Sequence, residues 1–297
     1  MTTASIGFIG MGLMGSPIAL KLCGTTHDMV VWGRSPKKLA PAVEAGASIA
    51  ISPAALATQC DVMILCVTDT SAVESVVFGP EGLAAGGSAG KVVVDHSSIS
   101  PDATIDIAAR LKAQAGMEWV DAPVSGGAPG VANKTLVVMA GASQSVFDDV
   151  YPIVMNYAGR MTRMGPVGAG QSTKLINQAL VGAGFAVLAE ATRLAMDAGI
   201  DANKIPAALA GGRADSSLLQ EYMPHMANGD FSPRGRIDIV LKDLLMVADL
   251  ATATGTPTPM LSLATQLHRL MVASGHGADD NAAIIKLLEQ QQQAASS

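Results

Sequence analysis

The sequence predicts an α/β protein: a doubly wound parallel sheet, followed by an all-helical domain that a long interdomain helix joins to it. Short apolar, β-branched runs alternate with helical stretches in the first half of the chain. A glycine-rich turn follows the first of these runs, and strand signals stop near Gly168. We therefore place the domain boundary after residue 165, with an α/β domain over 1–165 and a helical domain over 166–297.

The individual elements follow from the period of the apolar residues. The predicted strands are SIGFIG, MVVWG, VMILCV, KVVVDHS, MEWVDAP and TLVVMAG, with amphipathic helices such as 17–24 and 71–78 between them. The predicted helices of the second half cover residues 171–198, 204–211, 216–226, 237–254, 257–274 and 281–290. The first of these would be roughly 42 Å long at about 1.5 Å per residue, which is enough to link two domains. The tail QQQQAASS is predicted to fray.

Composition narrows the class of partner. The chain has 49% hydrophobic and only 15% charged residues, so some apolar surface is expected to be buried between subunits of a homodimer or homotetramer. A net charge of -6 and the lack of a Lys/Arg cluster argue against nucleic acid. The three cysteines show no CxxC spacing, so we expect neither a disulfide framework nor a zinc site.

The apolar amino-terminal stretch is predicted to belong to the fold. No positive residue precedes it, as a secretory signal would require, and four glycines interrupt it, which disfavours a membrane helix. We therefore expect a cytoplasmic protein without a membrane partner.

Residues 10–15 predict a dinucleotide site of the Rossmann type. Gly10, Met11, Gly12, Leu13, Met14 and Gly15 form a GxGxxG motif between a strand and a helix. The first glycine permits the tight turn, the second lets the backbone approach a pyrophosphate, and the third allows close helix packing. In a chain with 31 glycines the motif alone is weak, and its position at the start of the βαβ series is what supports it.

The end of the second strand favours NADP(H) over NAD(H). An acidic residue there would hold the ribose 2′-hydroxyl, but this chain has Gly33, Arg34 and Ser35, with Lys37 and Lys38 beyond. A guanidinium, a hydroxyl and nearby ammonium groups suit a 2′-phosphate. The alternative is that Arg34 is a solvated loop charge.

One lysine, Lys174, stands at the head of an apolar helical stripe. Asn177, Gln178, Val181 and Phe185 follow it on the same face. A partly desolvated ammonium has a lowered pKa and can exchange a proton with a carbonyl oxygen near neutral pH. An interdomain salt bridge would give the same pattern, so both interpretations stay open on spacing alone.

Five blocks in order resemble the β-hydroxyacid dehydrogenase family, which includes 3-hydroxyisobutyrate dehydrogenase and tartronate semialdehyde (2-hydroxy-3-oxopropionate) reductase. The resemblance covers almost the whole chain. The blocks are GFIGMGLMGSPIA, VVVDHSSISP, DAPVSGGAPGVANKTLVVMAGA, GAGQSTKLINQ and LKDLLMVADLA.

The resemblance implies roles for particular residues. Lys174 would be the catalytic acid/base, and Ser125, Gly126 and Gly127 would hold a substrate carboxylate. The amides that orient the substrate would be Asn177 and Gln178, and this NQ pair is more similar to tartronate semialdehyde reductases than to the NN pair of 3-hydroxyisobutyrate dehydrogenases. The residues that the resemblance implies near the cofactor are Cys66, Val67, Thr68, Ser97 or Ser98, Lys242 and Asp243. They add to Gly33, Arg34, Ser35 and Lys38, which the turn after the second strand assigns to the cofactor. No metal is implied, since an ammonium can polarise the carbonyl.

The leading hypothesis is an NADP(H)-dependent enzyme that interconverts a small 3-hydroxy acid and its aldehyde or ketone, with 2-hydroxy-3-oxopropionate as the favoured substrate. The alternatives are a dehydrogenase of 3-hydroxyisobutyrate, threonate or 4-hydroxybutyrate, an imine reductase, and a non-catalytic NADP-binding protein. His96 is interpreted as a satisfied loop histidine in preference to a catalytic one. Arg213, in the loop at residues 211–217, either borders the pocket or lies in a helix cap.

Overall fold

The computed structural model describes residues 4–289, and the chain divides after Lys174 into two compact units. The strands lie in the first unit: β1 (Ile6–Ile9), β2 (Met29–Trp32), β3 (Ser48–Ile49), β4 (Val62–Leu65), β5 (Val92–Asp95), β6 (Glu118–Asp121), β7 (Val124–Ser125), β8 (Val137–Gly141) and β9 (Arg160–Gly165). Its helices are α1 (Gly15–Cys23), α2 (Pro36–Glu44), α3 (Pro53–Gln59), α4 (Thr70–Phe78), α5 (Leu83–Gly86), α6 (Pro101–Ala115), α7 (Gly127–Ala132) and α8 (Gln144–Val154).

The sheet has the order β3-β2-β1-β4-β5-β6-β8-β7, with β9 paired to β8. Strands β1 to β6 pair in parallel, whereas β8 runs antiparallel to β6 and β7. The chain moves outward from β1 to β3 and then returns to the other side of β1 at β4. In sheets of this kind ligands bind at the carboxyl ends of the strands, where the order reverses.

Both faces of the sheet are covered, which explains the continuous apolar runs of its strands. Phe8 packs in a cluster with Ile18 and Val94, while its neighbour Ile9 packs in a second cluster with Leu65 and Trp119. Because successive side chains of a strand point to opposite faces, a strand buried on both faces must be apolar throughout. The predicted doubly wound fold is confirmed.

Three strands were not predicted. Two of them, β3 and β7, have only two residues each, too few for a period to be recognised. The third, β9, has the sequence RMTRMG and is largely exposed, so it lacks the apolar run used to find the others. The prediction of a parallel sheet also missed the antiparallel pairing of β8.

The second unit is helical in the described residues. It contains most of α9 (Ala169–Asp197), followed by α10 (Ile205–Leu209), α11 (Ser217–Asn228), α12 (Ile237–Thr254) and α13 (Pro259–Ala273). Short 3₁₀ helices cover Ala202–Lys204 and Asn281–Leu288. The predicted helix over 281–290 is thus a 3₁₀ helix that ends at Leu288. Its residue 290 and the glutamine-rich tail lie outside the described residues.

The loop that contains Arg213 ends in a helix cap. Ser216 is the N-cap of α11 and accepts a hydrogen bond from the Leu219 N–H. Asp215 accepts one from the Gly211 N–H at 2.7 Å, and Arg213 itself is exposed. These contacts support the capping interpretation of the loop.

Helix α9 has 29 residues and is therefore about 44 Å long. Among residues 4–289 it is the helix whose length and hydropathy would allow it to cross a membrane. Core helices of soluble proteins pass the same test, and 44% of its apolar window is buried inside the protein. It also carries the buried polar residues Gln171 and Lys174.

Candidate functional site

The three glycines of the first turn differ in their surroundings. Gly10 has φ +108°, and a Cβ on it would lie 2.1 Å from the Cys66 carbonyl oxygen. A Cβ on Gly15 would lie 1.8 Å from the Gly10 carbonyl oxygen. A Cβ on Gly12 would meet nothing within 4 Å. Gly10 and Gly15 are therefore required by packing, whereas the open space at Gly12 leaves bare backbone that a phosphate can approach.

The rest of the motif leaves the start of α1 open to an anion. Met11 is buried, whereas Leu13 points outward and is 91% exposed. The first turn of α1 has no acidic side chain, and Met14 at its N-cap makes no side-chain capping bond. The lack of a side-chain cap and the helix dipole both favour a negative ligand. This geometry fits the pyrophosphate of a dinucleotide.

The turn after β2 presents a hydroxyl and positive charge. Ser35 is the N-cap of α2, but its side chain makes no capping hydrogen bond. Arg34, Lys37 and Lys38 are exposed, and Gly33 is half-buried. In contrast, the N-cap hydroxyl of Ser52 accepts a backbone N–H of its own helix. The Ser35 hydroxyl and the Arg34 guanidinium are therefore available to a phosphate.

The turns after β4 and β5 are held together by Ser97. The Val67 N–H donates to Ser97 Oγ at 3.0 Å, and Ser97 is buried. Of the two serines considered from the sequence, Ser98 is the more exposed. Burial raises the pKa of the Cys66 thiol to about 12, so this thiol is protonated at neutral pH. Thr68 is exposed at the same turn.

The segment Ser125–Gly127 forms a tight bend at the start of α7. Gly126 has φ +119° and Gly127 has φ +62°. Residues with side chains rarely adopt this conformation, so glycine is required at both positions. Both glycines are exposed and Ser125 is half-buried. The bend leaves uncovered backbone beside a hydroxyl, an arrangement that suits a carboxylate.

A buried hydrogen-bond network, which sequence reasoning missed, fixes the beginning of α9. The Asp121 carboxylate, at the end of β6, accepts the Gly168 N–H and the Gln171 N–H, each at 2.8 Å. The Gln171 side chain donates to the Ser97 carbonyl at 2.7 Å and accepts the Ile99 N–H at 3.2 Å. Lys174 follows Gln171 by one helical turn and is 9% exposed. This network fixes the helical turn from which Lys174 extends.

Replacing Gln171 by Met would remove both side-chain bonds while keeping the length of the side chain. The Ser97 carbonyl and the Ile99 N–H would then be buried without partners, and we expect the free energy of unfolding to fall by about 2–4 kcal/mol. Chemical denaturation measures this change. The control is Gln144→Met, which removes the exposed bond from Gln144 to Asp148 and should change stability by less than about 0.5 kcal/mol. Equal denaturation midpoints for the two variants would contradict the assigned role of Gln171.

Burial also sets the charge of three groups at the carboxyl ends of β5 and β6. Burial raises the pKa of Asp95 and of Asp121 to about 7 each, and the two residues are paired in register. Burial lowers the pKa of His96 to about 4. The two ring nitrogens of His96 lie 2.6 Å from the Ala122 carbonyl and 2.7 Å from the Tyr157 hydroxyl. His96 is therefore a neutral, fully hydrogen-bonded residue, in agreement with its interpretation as a satisfied histidine.

In the second unit the structure brings together four residues named from the resemblance. Asn177 Nδ2 donates to Gln178 Oε1 at 2.9 Å, and Gln178 Nε2 donates to Asp243 Oδ2 at 2.6 Å. Lys242 Nζ lies 3.3 Å from Asp243 Oδ1. We call the series Asn177, Gln178 and Asp243 the amide chain. Asp243 is buried, and the two amides are half-buried.

The named residues thus form two groups. In the first unit the turns after β1, β2, β4 and β5 lie at the carboxyl edge of the parallel sheet, because parallel strands end on the same side. The bend at residues 125–127 follows β7, and Lys174 lies on α9 beyond Gln171. In the second unit the amide chain and Lys242 form a connected cluster.

Two known families match the chain. Residues 5–165 match the NAD binding domain of 6-phosphogluconate dehydrogenase, and residues 168–288 match the NAD-binding domain of NADP-dependent 3-hydroxyisobutyrate dehydrogenase. Together with the glycine turn and the sheet order, these matches define an NAD(P)-binding oxidoreductase.

Curated relatives match over nearly the full length. L-threonate dehydrogenase of Cupriavidus necator is 32% identical over 284 residues, which are 95% of this chain and 95% of the relative. The 2-hydroxy-3-oxopropionate reductase of Escherichia coli is 33% identical, over 96% of this chain and 97% of the relative. The chain belongs to the β-hydroxyacid dehydrogenase family, and it is an NAD(P)-dependent hydroxyacid dehydrogenase that acts on CH–OH donors.

Among solved structures, the 3-hydroxyisobutyrate dehydrogenase of Mycobacterium tuberculosis in complex with L-serine superposes with a TM-score of 0.87. It is 28% identical, and the match covers 97% of this chain and 100% of that chain. The 3-hydroxyisobutyrate dehydrogenase of Salmonella typhimurium gives a TM-score of 0.86 at 32% identity, over 96% of this chain and 99% of that chain.

Proposed function

We propose that this enzyme is an NADP(H)-dependent reductase of 2-hydroxy-3-oxopropionate, which it interconverts with glycerate. The observation that carries the proposal is the head of α9, where the buried Lys174 precedes two amides. The NQ pair and the similarity to a 2-hydroxy-3-oxopropionate reductase support this substrate. The L-serine held by a solved relative has the same three-carbon frame, with a hydroxyl on carbon 3 and a carboxylate on carbon 1.

Each group has a defined task in this proposal. A bound nicotinamide cofactor supplies or accepts the hydride. The bend at Ser125, Gly126 and Gly127 holds the substrate carboxylate through backbone N–H groups and a hydroxyl. Lys174 donates a proton to the carbonyl oxygen in reduction and takes it back in oxidation. Asn177 orients carbon 2 of the substrate, which lies between the carboxylate and the carbonyl carbon.

The proposal is tested by following absorbance of the reduced cofactor with a set of short hydroxy acids and semialdehydes. We expect glycerate and 2-hydroxy-3-oxopropionate to give the highest kcat/KM. A higher kcat/KM with threonate, 3-hydroxyisobutyrate or 4-hydroxybutyrate would show that the proposed substrate is wrong, while the enzyme would still be a hydroxyacid dehydrogenase. Faster turnover of cyclic imines would identify an imine reductase. Cofactor binding without turnover of any compound would indicate a non-catalytic NADP-binding protein.

The preference for NADP(H) rests on the turn after β2. Arg34 is exposed there, the Ser35 hydroxyl makes no capping bond, and Lys38 lies in the first turn of α2. Residues 33–38 contain no carboxylate that would repel a 2′-phosphate. These groups support charge-assisted hydrogen bonds to a phosphate.

Arg34→Ala should remove most of the preference for NADPH. We expect kcat/KM for NADPH to fall by about 10- to 100-fold, the value of one or two charge-assisted hydrogen bonds, while kcat/KM for NADH stays unchanged. Steady-state kinetics with each cofactor measures this ratio. Arg160→Ala, which removes an exposed arginine of β9, should leave both values unchanged. A wild-type preference for NADH would refute the assignment.

We further propose that the enzyme is a cytoplasmic homo-oligomer, a dimer or a tetramer, with no nucleic-acid or membrane partner. The support for self-association is an exposed apolar stripe on α9. It consists of Ile176, Leu180, Val187 and Leu194, and Leu180 is 73% exposed. These residues recur at spacings of four and seven, so they lie on one face along about 27 Å of helix. A second copy of the chain can cover such a face with its own stripe.

Leu180→Glu should weaken this association, because it places a charge in the middle of the stripe. We expect the mass measured by light scattering after gel filtration to fall from that of an oligomer to that of the monomer. Ile51→Glu, which changes an exposed residue of the first unit, should keep the oligomer. A monomeric wild-type enzyme, or an oligomer unaffected by Leu180→Glu, would refute the interface.

A further inference from the structure

The amide chain ends on a carboxylate, and this fixes the direction of every hydrogen bond in it. Asp243 is 3% exposed, and the Lys242 ammonium lies 3.3 Å from its Oδ1. Its Oδ2 accepts a hydrogen bond from Gln178 at 2.6 Å. The group that Gln178 directs at Asp243 Oδ2 must therefore be its NH₂.

The orientation of the Gln178 amide in turn determines the orientation of the Asn177 amide. With the Gln178 NH₂ on Asp243, the Gln178 Oε1 faces the other way and accepts a hydrogen bond from Asn177 Nδ2. Asn177 therefore cannot turn its amide by 180° without placing two oxygens against each other. Asn177 Oδ1 is the last atom of the amide chain. Within residues 4–289 no hydrogen bond to this oxygen is found.

Asn177 follows Lys174 by three residues in the continuous helix α9. Helical periodicity places the two side chains on one face, with Cβ atoms about 5–6 Å apart. A substrate whose reacting oxygen is near Lys174 can thus place its neighbouring carbon near Asn177. A pure acceptor at this place accommodates a donor and disfavours a methyl group or an ether oxygen.

We infer that Asn177 Oδ1 accepts a hydrogen bond from a hydroxyl on carbon 2 of the substrate, and that Gln178 and Asp243 are positioning residues that fix this polarity. The inference rests on the proposed role of Lys174 as the proton donor to the oxygen on carbon 3. It assigns the enzyme to 2,3-dihydroxy acids and their semialdehydes. Acids with hydrogen or methyl on carbon 2 are disfavoured.

Four substrates test whether Asn177 presents its oxygen or its NH₂ to carbon 2. They share the CH₂OH group and the carboxylate and differ only at carbon 2. They are glycerate, 3-hydroxypropionate, 3-hydroxyisobutyrate and 2-O-methylglycerate. The last compound offers an ether oxygen that accepts but cannot donate. We expect kcat/KM for glycerate to exceed each of the other three by about 10- to 100-fold, because an acceptor left without a donor loses one hydrogen bond.

The role of the amide chain is tested with Gln178→Met. The methionine side chain has the same length as glutamine but forms no hydrogen bond with Asn177 or Asp243. The Asn177 amide could then turn and offer its NH₂ to the ether oxygen. We expect the ratio of kcat/KM for glycerate over 2-O-methylglycerate to fall towards one, while the ratio over 3-hydroxyisobutyrate is retained. A merely structural role for Gln178 would lower all four values together. The matched control Gln144→Met should leave all ratios unchanged.

A binding experiment keeps the inference testable even if none of the four acids is turned over. Tartronate and methylmalonate differ only by hydroxyl against methyl on the central carbon. Calorimetric titration into the enzyme with bound NADP⁺ should give a Kd for tartronate about 10- to 100-fold lower. Equal Kd values, or a kcat/KM for 2-O-methylglycerate equal to that for glycerate, would overturn the inference. Substantial turnover by Lys174→Ala would instead refute the proposed function.

Discussion

Lys174→Ala should lower kcat by about 10²- to 10⁴-fold, the usual contribution of a positioned acid or base, while the Kd for NADPH stays unchanged. The reason is that the substrate oxygen would lose its proton donor, whereas the glycine turn that we propose as the cofactor site would be untouched. Steady-state kinetics gives kcat, and fluorescence titration of NADPH gives the Kd.

A second substitution separates charge from proton transfer. Lys174→Arg keeps a positive group at the same place in α9, but a guanidinium does not release its proton at neutral pH. We expect Lys174→Arg to bind substrate and yet to be nearly as slow as Lys174→Ala. If either variant kept more than about a tenth of the wild-type kcat, Lys174 would not be the catalytic acid/base.

Gly12→Ala should fold normally and lose cofactor affinity. The added Cβ meets no protein atom within 4 Å, so stability should be unchanged. If a phosphate approaches the bare backbone here, the methyl group should raise the Kd for NADPH by about 10- to 100-fold, as expected for 1–3 kcal/mol of steric cost.

Gly10→Ala, in contrast, should destabilise the fold. Its Cβ would lie 2.1 Å from the Cys66 carbonyl oxygen, at a residue with φ +108°. Steric overlap and backbone strain together should reduce the free energy of unfolding by at least about 3 kcal/mol. Gly24→Ala is the control, because Gly24 has space for a Cβ, with its nearest atom at 3.5 Å. Thermal denaturation measures the stability of the three variants, and titration measures their affinity for NADPH. Equal NADPH affinities of Gly12→Ala and Gly24→Ala would contradict the role assigned to Gly12.

The fold was predictable from the sequence because its signals are local. The runs that became β1, β4 and β5 are apolar on both faces, and the helix over 237–254 has the bounds of α12. The short strands β3 and β7 were missed because pairing with longer neighbours, which a sequence window does not contain, is what forms them.

The candidate site was predictable only where a motif marks it. Glycine spacing marks residues 10–15, and Lys174 is marked because no other charged residue occurs in the sequence between Arg163 and Glu190. Asp121 and Gln171 carry no such mark, because they act by meeting across 50 positions of the chain. The direction of the Asn177 amide was likewise invisible, since it depends on a carboxylate 65 residues beyond Gln178.

If the inferred polarity holds, Asn177 contacts the substrate, while Asp243 determines which substrate group that contact prefers. Within residues 4–289 Asp243 is connected to Asn177 through Gln178, and as the acceptor at the end of the series it sets the direction of both amides. A lineage could therefore acquire a new substrate by changing position 243 or 178 while position 177 stays asparagine. Comparing only the residues that line a binding pocket would overlook such a change, and directed evolution of this enzyme should include both remote positions.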